Sequence, residues 1–351
     1  MRAIVLIFAA TALSGCGFNS VKPADAVSAS GKQDRDRLEV GLGYNAMRGG
    51  NLYSNYNAHF FDNSIARINA SLAFSDKSIS GQQLFDLTES PFSVGYSASF
   101  RDYKIIPSDS STKNRQFSFT SIGAMGLTDK SSLISTFGVE YIQSKTGMAG
   151  ATGSQIMTPL TLTYRLDERV HPQIPMGFGY FLTTNAEVSP FSLNYVKGSM
   201  RGQLDVPLNN PFTDKLALSF KFFAGAGHGL AGNSLPVTKR FFLENGSPVR
   251  GYAANGFGYN ANGIPIGGNS MMTGSIELWT PLFHEDLRAY TFFDSGFMRG
   301  NGISTSDLKT SVGIGAAWSS PIGVISVSYG QALEKNAVHT QSIGIGLGIN
   351  Y

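Results

Sequence analysis

After Arg37, large apolar residues alternate with small or polar residues in runs of about ten to fourteen positions, and turn-forming residues separate the runs. Successive side chains of a β-strand point to opposite faces, so runs of this period predict strands with one apolar face. The apolar positions of the clearest run are Ile343, Ile345, Leu347, Ile349 and Tyr351, and glycines lie between them at Gly344, Gly346 and Gly348. The pattern therefore predicts an all-β protein.

Sixteen such strands are predicted, at residues 37–47, 50–61, 64–76, 79–89, 91–104, 114–128, 132–144, 156–168, 173–188, 191–208, 216–230, 268–282, 286–298, 308–319, 322–333 and 340–351. Connections after the even-numbered strands are mostly short, whereas several after the odd-numbered strands are longer. An even strand number with short turns at one end and long loops at the other is typical of outer-membrane barrels. A soluble sandwich would bury its apolar faces between two sheets and would not need so many glycines opposite them. We therefore predict a 16-stranded antiparallel transmembrane β-barrel at residues 37–351.

Composition excludes several classes and leaves a large all-β domain that is either water-soluble or embedded in an outer membrane. Only 15% of the residues are charged, compared with about 25% in ordinary soluble domains. The formal net charge of +3 over 351 residues creates no basic field, so nucleic acid is not an expected partner. No stretch after residue 15 reaches the ~18 apolar residues that a transmembrane helix needs.

The chain begins with a basic residue, an apolar run and the tetrapeptide Leu13-Ser14-Gly15-Cys16. This order predicts a secretory signal at residues 1–15. The tetrapeptide resembles the bacterial lipobox, which implies a lipid on Cys16 as the first residue of the mature chain. The alternative is an ordinary signal peptide with a chance cysteine. Gly17 in place of aspartate favours sorting to the outer membrane, and residues 16–36 are predicted to form a flexible, lipid-anchored tether on the periplasmic side.

One connection, residues 231–267, contains no alternating run but holds Arg240-Phe241-Phe242 and then Val249-Arg250-Gly251-Tyr252. This segment resembles the sixth loop of the BamA/TamA outer-membrane insertase superfamily, also called bacterial surface antigens. Further matches to that family follow in order at residues 275–281, 292–296, 318–323 and 326–331. Glu244-Asn245-Gly246 replaces the usual glycine pair of the family, so the first turn of the loop is expected to differ.

The resemblance implies a role for the loop arginine. In that family the loop folds into the barrel, and its arginine pairs with an acidic residue on each of the twelfth and thirteenth strands; the matching residues are Arg250, Glu277 and Asp294. The alternation on both predicted strands independently places these carboxylates on the lumen side. A guanidinium can bridge two carboxylates in a way that lysine cannot copy. Gly251 would allow close approach of the loop backbone, and Tyr252 completes the motif. The alternative is an ordinary arginine in solvent.

The larger members of the family carry periplasmic polypeptide-transport-associated (POTRA) modules before the barrel. About twenty residues separate Cys16 from the first predicted strand, so no such module is expected here. Because a fold does not prove an activity, this absence leaves the function open. Acyl chains are not needed to anchor a barrel, and a lipid on Cys16 is expected instead to hold the N-terminus beside the first strand.

The first and last strands must pair to close the barrel, and the family's insertases are thought to open or thin that seam. Glycine weakens strands, so Gly344, Gly346 and Gly348 predict a labile seam. The alternative is that these glycines make room for the inserted loop. The C-terminal Tyr351 and the alternation before it resemble the signal by which barrels are recognised for assembly.

The sequence gives little support for enzyme chemistry. The five histidines are scattered, and no Gly-x-Ser-x-Gly, His-x-x-x-His or clustered metal ligands occur, so no catalytic residue, cofactor or metal is predicted. A serine and a histidine contributed by separate strands remain the alternative.

The predicted function is assembly, insertion or translocation of outer-membrane proteins through a labile seam. The expected partners are outer-membrane lipids, unfolded outer-membrane protein clients and other subunits of the assembly machinery. The competing interpretation is a structural or partner-bound barrel subunit without insertase activity. A diffusion porin is a third possibility, against which the long loop argues.

Overall fold

The computed structural model describes residues 37–45, 49–61, 64–73, 76–87, 91–104, 113–145, 152–171, 174–210, 213–242, 249–252, 266–283, 286–300, 308–320, 323–334 and 341–348. In this part of the chain seventeen strands are present: β1 Arg37–Asn45, β2 Gly49–Phe61, β3 Ser64–Ala73, β4 Asp76–Asp86, β5 Phe92–Lys104, β6 Lys113–Thr128, β7 Ser131–Lys145, β8 Thr152–Met157, β9 Leu160–Asp167, β10 Gly179–Ser189, β11 Tyr195–Asn210, β12 Thr213–Gly229, β13 Ser270–Pro281, β14 Leu287–Arg299, β15 Lys309–Ser320, β16 Gly323–Ala332 and β17 Gln341–Gly348. Within the same residues, no helix has the length and apolar character required to cross a membrane.

The strands form a single antiparallel sheet in which neighbours along the chain are neighbours in the sheet. β8 and β9 both pair with β7, and β9 then pairs with β10. They therefore occupy one position in the sheet, interrupted at Pro159, which has no amide hydrogen to donate to a ladder. β1 pairs with β2 and also with β17. The prediction of an all-β antiparallel fold is confirmed.

Two predicted strands differ from the structure. The predicted eighth strand, 156–168, is the broken pair β8 and β9. The predicted ninth strand begins at residue 173, but β10 begins at Gly179. Before it, Ile174 turns inward and is fully buried, and Pro175 lacks the donor that a strand would need at this position. The alternation predicts too early a start because an inward-pointing isoleucine in a loop fits the period of a strand.

The two faces of the sheet have opposite chemistry. The outer face carries large apolar side chains that are exposed, among them Phe92, Val94, Tyr96, Phe117, Phe119, Ile276, Leu278, Ile314 and Val327. The inner face buries polar and charged side chains, among them Ser93, Ser132, Glu140, Asp205, Ser219, Glu277, Asp294 and Ser311. Water-soluble proteins rarely expose apolar patches of this extent. An apolar exterior around a polar interior is the arrangement of a strand protein embedded in lipid.

The connection between β9 and β10 also folds against the inner face. Ile174 belongs to a buried apolar cluster with Trp279, Tyr290 and Val324, which lie on β13, β14 and β16. Arg288 on β14 donates a hydrogen bond to the carbonyl oxygen of Pro175 at 3.0 Å. This connection therefore contacts strands that are not its neighbours in the sheet.

Candidate functional site

The long loop, defined here as residues 231–267 between β12 and β13, is described at residues 231–242, 249–252 and 266–267, and these parts make specific contacts inside the sheet. One turn of 3-10 helix forms at Val237–Lys239. Phe241 and Gly268 then exchange two backbone hydrogen bonds of 2.8 Å each, which join the two ends of the loop. Arg240 donates from Nε to the carbonyl oxygen of Leu235 and from Nη1 to that of Ile266, both at 3.1 Å. The loop base is therefore closed on itself.

Arg250 contacts both acidic residues that the sequence singled out. Its Nε and Nη2 donate to the two carboxylate oxygens of Asp294, on β14, at 2.9 and 2.8 Å. The backbone N–H of Arg250 donates to the same carboxylate at 2.8 Å. On β13, Nη2 lies 2.8 Å from Oε1 of Glu277 and donates to the hydroxyl of Ser275 at 2.9 Å. One guanidinium thus bridges two neighbouring strands.

Both carboxylates are withdrawn from solvent, since Glu277 is 1% exposed and Asp294 is 0% exposed. The other oxygen of Glu277 accepts hydrogen bonds from Lys221 Nζ at 2.7 Å and from Trp279 Nε1 at 2.9 Å. The guanidinium carbon of Arg250 lies 3.5 Å from the ring centroid of Phe292. Burial opposes the charge of Arg250, but Glu277 and Asp294 raise its pKa, so the guanidinium remains protonated.

The backbone of the loop touches β16 beside the arginine. Gly251 has a φ of +90°, a conformation that side chains disfavour. A Cβ on Gly251 would lie 2.8 Å from the backbone nitrogen of Ala332, and one on Gly330 would lie 2.7 Å from the nitrogen of Gly251. Tyr252 completes the contact by donating from its hydroxyl to the carbonyl oxygen of Thr310 at 2.9 Å. Sequence reasoning singled out Gly251 but missed Gly330.

Replacing Gly330 with alanine is expected to destabilise the protein by about 1 to 3 kcal/mol, because the new methyl group would overlap loop backbone that has little room to move. The temperature at which the folded band disappears in heated gel-shift electrophoresis measures the effect. The matched control is Gly274→Ala on the outer face, where the nearest atom to the added Cβ is 3.8 Å away. Equal melting of both variants would contradict the close approach of loop and wall.

A second ionic contact holds the start of the loop against β7 and β10. Lys239 Nζ lies 3.0 Å from Glu140 Oε2 on β7 and 2.9 Å from Glu187 Oε1 on β10. The hydroxyl of Tyr195 donates to the same oxygen of Glu187. Burial alone would lower the pKa of Lys239, but Glu140 and Glu187 hold it well above its ordinary value. Sequence reasoning missed this cluster, although Lys239 stands directly before the recognised Arg240-Phe241-Phe242.

Several predicted site residues lie outside the described part of the chain, namely Cys16, Tyr351 and the departing turn Glu244-Asn245-Gly246. Gly344 and Gly346 pair with Ser328 and Ser326 of β16, and Gly348 pairs with Val324. This register places the three glycines on the same face of the sheet as the buried Val324, and the exposed Val327 lies on the other face. Among the described residues, no group of three or more His, Cys, Asp or Glu side chains is arranged to hold a metal.

An antiparallel sheet with an apolar outer face, buried polar and charged residues on its inner face and a loop held there by a buried arginine is typical of outer-membrane strand proteins. Comparison with known proteins gives the family. The profile of the Omp85 superfamily domain matches residues 25–351. The chain therefore belongs to the Omp85 superfamily, and the resemblance to BamA that the loop motif indicated is confirmed.

Individual relatives agree with this assignment. Outer membrane protein assembly factor BamA of Neorickettsia risticii (strain Illinois) is 31% identical over 148 residues, covering 38% of this chain and 20% of the relative. The chain thus spans about a fifth of the length of that curated relative. The BamA structure of Haemophilus ducreyi lacking POTRA domains 1–3 superposes with a TM-score of 0.76 at 16% identity, covering 90% of this chain and 70% of that one. CdiB of Acinetobacter baumannii gives 0.62 at 13% identity, covering 90% and 60%. These structures share the fold.

Proposed function

We propose that this protein assists the assembly, insertion or translocation of outer-membrane proteins, acting through the seam between its first and last strands. In this proposal the sheet closes into a barrel with sixteen strand positions, one of which is shared by β8 and β9, and the barrel spans the outer membrane. The name of the Neorickettsia relative, an assembly factor, supports the direction of the proposal. The observation that carries it is the combination of an internally locked loop with a sparsely paired seam.

The seam is weaker than its neighbours within the described residues. β1 and β17 form two residue pairs, Tyr44 with Ile345 and Asn45 with Gly344, whereas β16 and β17 form eight. Elsewhere along these strands, Gly41 and Gly43 of β1 form no residue pairs with Gly346 and Gly348 of β17. Each missing pair leaves backbone groups available to another strand, which is how an exposed edge recruits a partner. Glycine further weakens such a strand.

Two further elements of the proposal concern the chain termini. We propose that a lipid on Cys16 holds the N-terminus at the periplasmic side of the membrane, near the start of β1. We also propose that Tyr351 ends the signal by which this barrel is itself recognised for assembly. Both assignments rest on the sequence, and the mass of the mature N-terminal peptide tests the first: an unmodified cysteine, or a different first residue, contradicts it.

A reversible lock across the seam tests the function. Cysteines at Asn45 and Gly344, which pair across β1 and β17, should form a disulfide that keeps the seam closed. Liposomes containing the wild-type protein are expected to accelerate folding of an added unfolded outer-membrane protein. The oxidised double variant should fold the client no faster than empty liposomes, and reduction should restore the acceleration.

The matched control places cysteines at Tyr329 and Ile343, which pair across the fully formed ladder of β16 and β17 and belong to neither seam pair. Its oxidation should leave client folding unchanged. If the wild-type protein does not accelerate client folding, the structural or partner-bound subunit is the better interpretation. If the seam lock has no effect on an active protein, the activity does not use this seam.

A further inference from the structure

The outer face of β4 to β7 contains an apolar groove away from the seam strands β1 and β17. Gly81 and Ala98 form its floor, and Ile79, Phe100, Phe117 and Tyr141 are among the larger side chains around it. The groove is open along its outer side, and its volume is about 510 Å³. The Phe100 and Phe117 rings pack with centroids 4.7 Å apart, so the groove has a firm aromatic wall.

Cations border the groove at one end. Lys77, Lys104, Lys113 and Arg115 occupy the same outward parity as Ile79, Phe100 and Phe117, farther along the same strands. The ladder places Lys77 and Arg115 on either side of Asp102, and Lys104 opposite Lys113. Asp102 lies 2.9 Å from Lys113 Nζ and 3.6 Å from Arg115 Nε. Together these five residues form the rim of the groove, and with four cations and one carboxylate the rim is positively charged.

The rim lies at the long-loop end of the strands. The connections there span residues 105–112 and 146–151, whereas β6 and β7 are joined at the other end by Asp129 and Lys130 alone. In outer-membrane barrels the long loops face the cell exterior and the short turns face the periplasm. The groove therefore lies in the outer leaflet, with its cations at the level of the head groups.

We propose that this groove is a binding site for a phosphorylated, multiply acylated glycolipid of the lipopolysaccharide type. The apolar floor would take an acyl chain, and the rim would take phosphate. Because neighbouring strands are about 4.8 Å apart, cations on β4 and β6 are separated by roughly 10 Å. That separation suits two phosphates on a disaccharide better than the single phosphate of a phospholipid. The proposal uses the membrane orientation proposed above but not the assembly activity.

Binding is measured by native mass spectrometry of the full-length, detergent-solubilised protein, titrated with diphosphoryl lipid A, monophosphoryl lipid A or phosphatidylglycerol. The wild-type protein should bind diphosphoryl lipid A most tightly. Removing both rim cations of β6, as Lys113→Gln with Arg115→Gln, should weaken that binding about thirty-fold, from the usual contribution of a basic residue at a lipid surface. Gly81→Leu should remove the saturable binding because the leucine side chain would occupy the floor of the groove. The substitution itself should be tolerated, since nothing lies within 4 Å of the added Cβ.

Two control variants isolate the site. Gly198→Leu fills another outward-facing glycine position, where the nearest atom is 3.7 Å away, and Lys130→Gln removes an exposed cation at the opposite end. Both should bind like the wild-type protein, and heated gel shifts verify that every variant is folded. The proposal is overturned if Gly81→Leu and the double variant bind like the wild-type protein, or if phosphatidylglycerol binds as tightly as diphosphoryl lipid A. Client folding is scored separately, so failure here does not touch the proposed function.

Discussion

Replacing Arg250 with alanine is expected to destabilise the folded protein by about 3 to 5 kcal/mol, the usual cost of removing one partner from a buried ion pair. The reason is the 0% exposure of Asp294 and the three hydrogen bonds that its carboxylate accepts from Arg250. After truncation only the backbone N–H remains as a donor from this residue. Heated gel-shift electrophoresis should show loss of the folded band at a clearly lower temperature.

Companion variants distinguish a charge clamp from simple loss of packing. Arg250→Lys keeps the charge but not the two-pronged geometry, so its stability should lie between those of the wild type and Arg250→Ala. Adding Asp294→Asn to Arg250→Ala removes the uncompensated charge and should recover part of the loss. Lys130→Ala breaks an equally short but exposed ion pair with Glu168, 2.6 Å long, and should melt like the wild type. Unchanged melting of Arg250→Ala would mean that the clamp does not stabilise the fold.

The sequence predicted the two carboxylates that contact Arg250, but it did not predict the contact at Gly330 or the ionic cluster around Lys239. Glu277 is predicted on the inner face because it lies between Ile276 and Leu278, and Asp294 because it alternates with the outward series that ends at Phe293. On a regular strand the side-chain period of two applies residue by residue. Arg250 was found through the loop motif alone, since no periodicity governs a loop. Local pattern and family resemblance were thus both needed to bring three residues from three segments together.

The missed features depend on contacts between distant segments. Lys239 contacts Glu140, 99 residues away, and no local pattern distinguishes that glutamate from others facing the interior. Gly330 matters because loop backbone lies on it, which the sequence of β16 does not reveal. Ile174 was predicted to lie in the ninth strand because the alternating pattern of that strand continues back into the preceding connection, which folds inward. Such long-range packing is decided by the tertiary fold, which overrides local periodicity.

These contacts give the long loop two separate attachments. Arg250 and Gly251 fix its middle to β13, β14 and β16, and Lys239 fixes its beginning to β7 and β10. Among the described residues, the loop thus links β13, β14 and β16 to β7 and β10, and its attachments lie on neither β1 nor β17. The contact of Gly251 is with β16, the strand that pairs with β17. We infer that the loop holds β16 in place while the seam between β1 and β17 opens beside it.

Replacing Lys239 with methionine is expected to destabilise the protein by about 3 to 5 kcal/mol. Methionine keeps most of the side-chain volume but leaves Glu140, 6% exposed, and Glu187 together without their shared cation. The heated gel shift measures the loss of stability, and conductance of the protein in planar bilayers measures loop release, which should open the lumen. Because the pKa of Lys239 is raised, its contribution is complete below the ordinary lysine pKa of about 10.4 and is lost only at still higher pH.

Neutralising one carboxylate provides the decisive comparison. Glu140→Gln added to Lys239→Met removes one of the two like charges, so the double variant should be more stable than Lys239→Met alone, with a coupling of roughly 0.5 to 3 kcal/mol. Lys239→Met and Arg250→Ala act on different walls, so their combined effect should approach the sum of the single effects unless the loop detaches as one unit. Detachment as one unit would instead make the second substitution nearly silent, and conductance would already be maximal in either single variant. If Lys239→Met melts at the same temperature as the wild-type protein, the contact of Lys239 with Glu140 and Glu187 does not stabilise the fold.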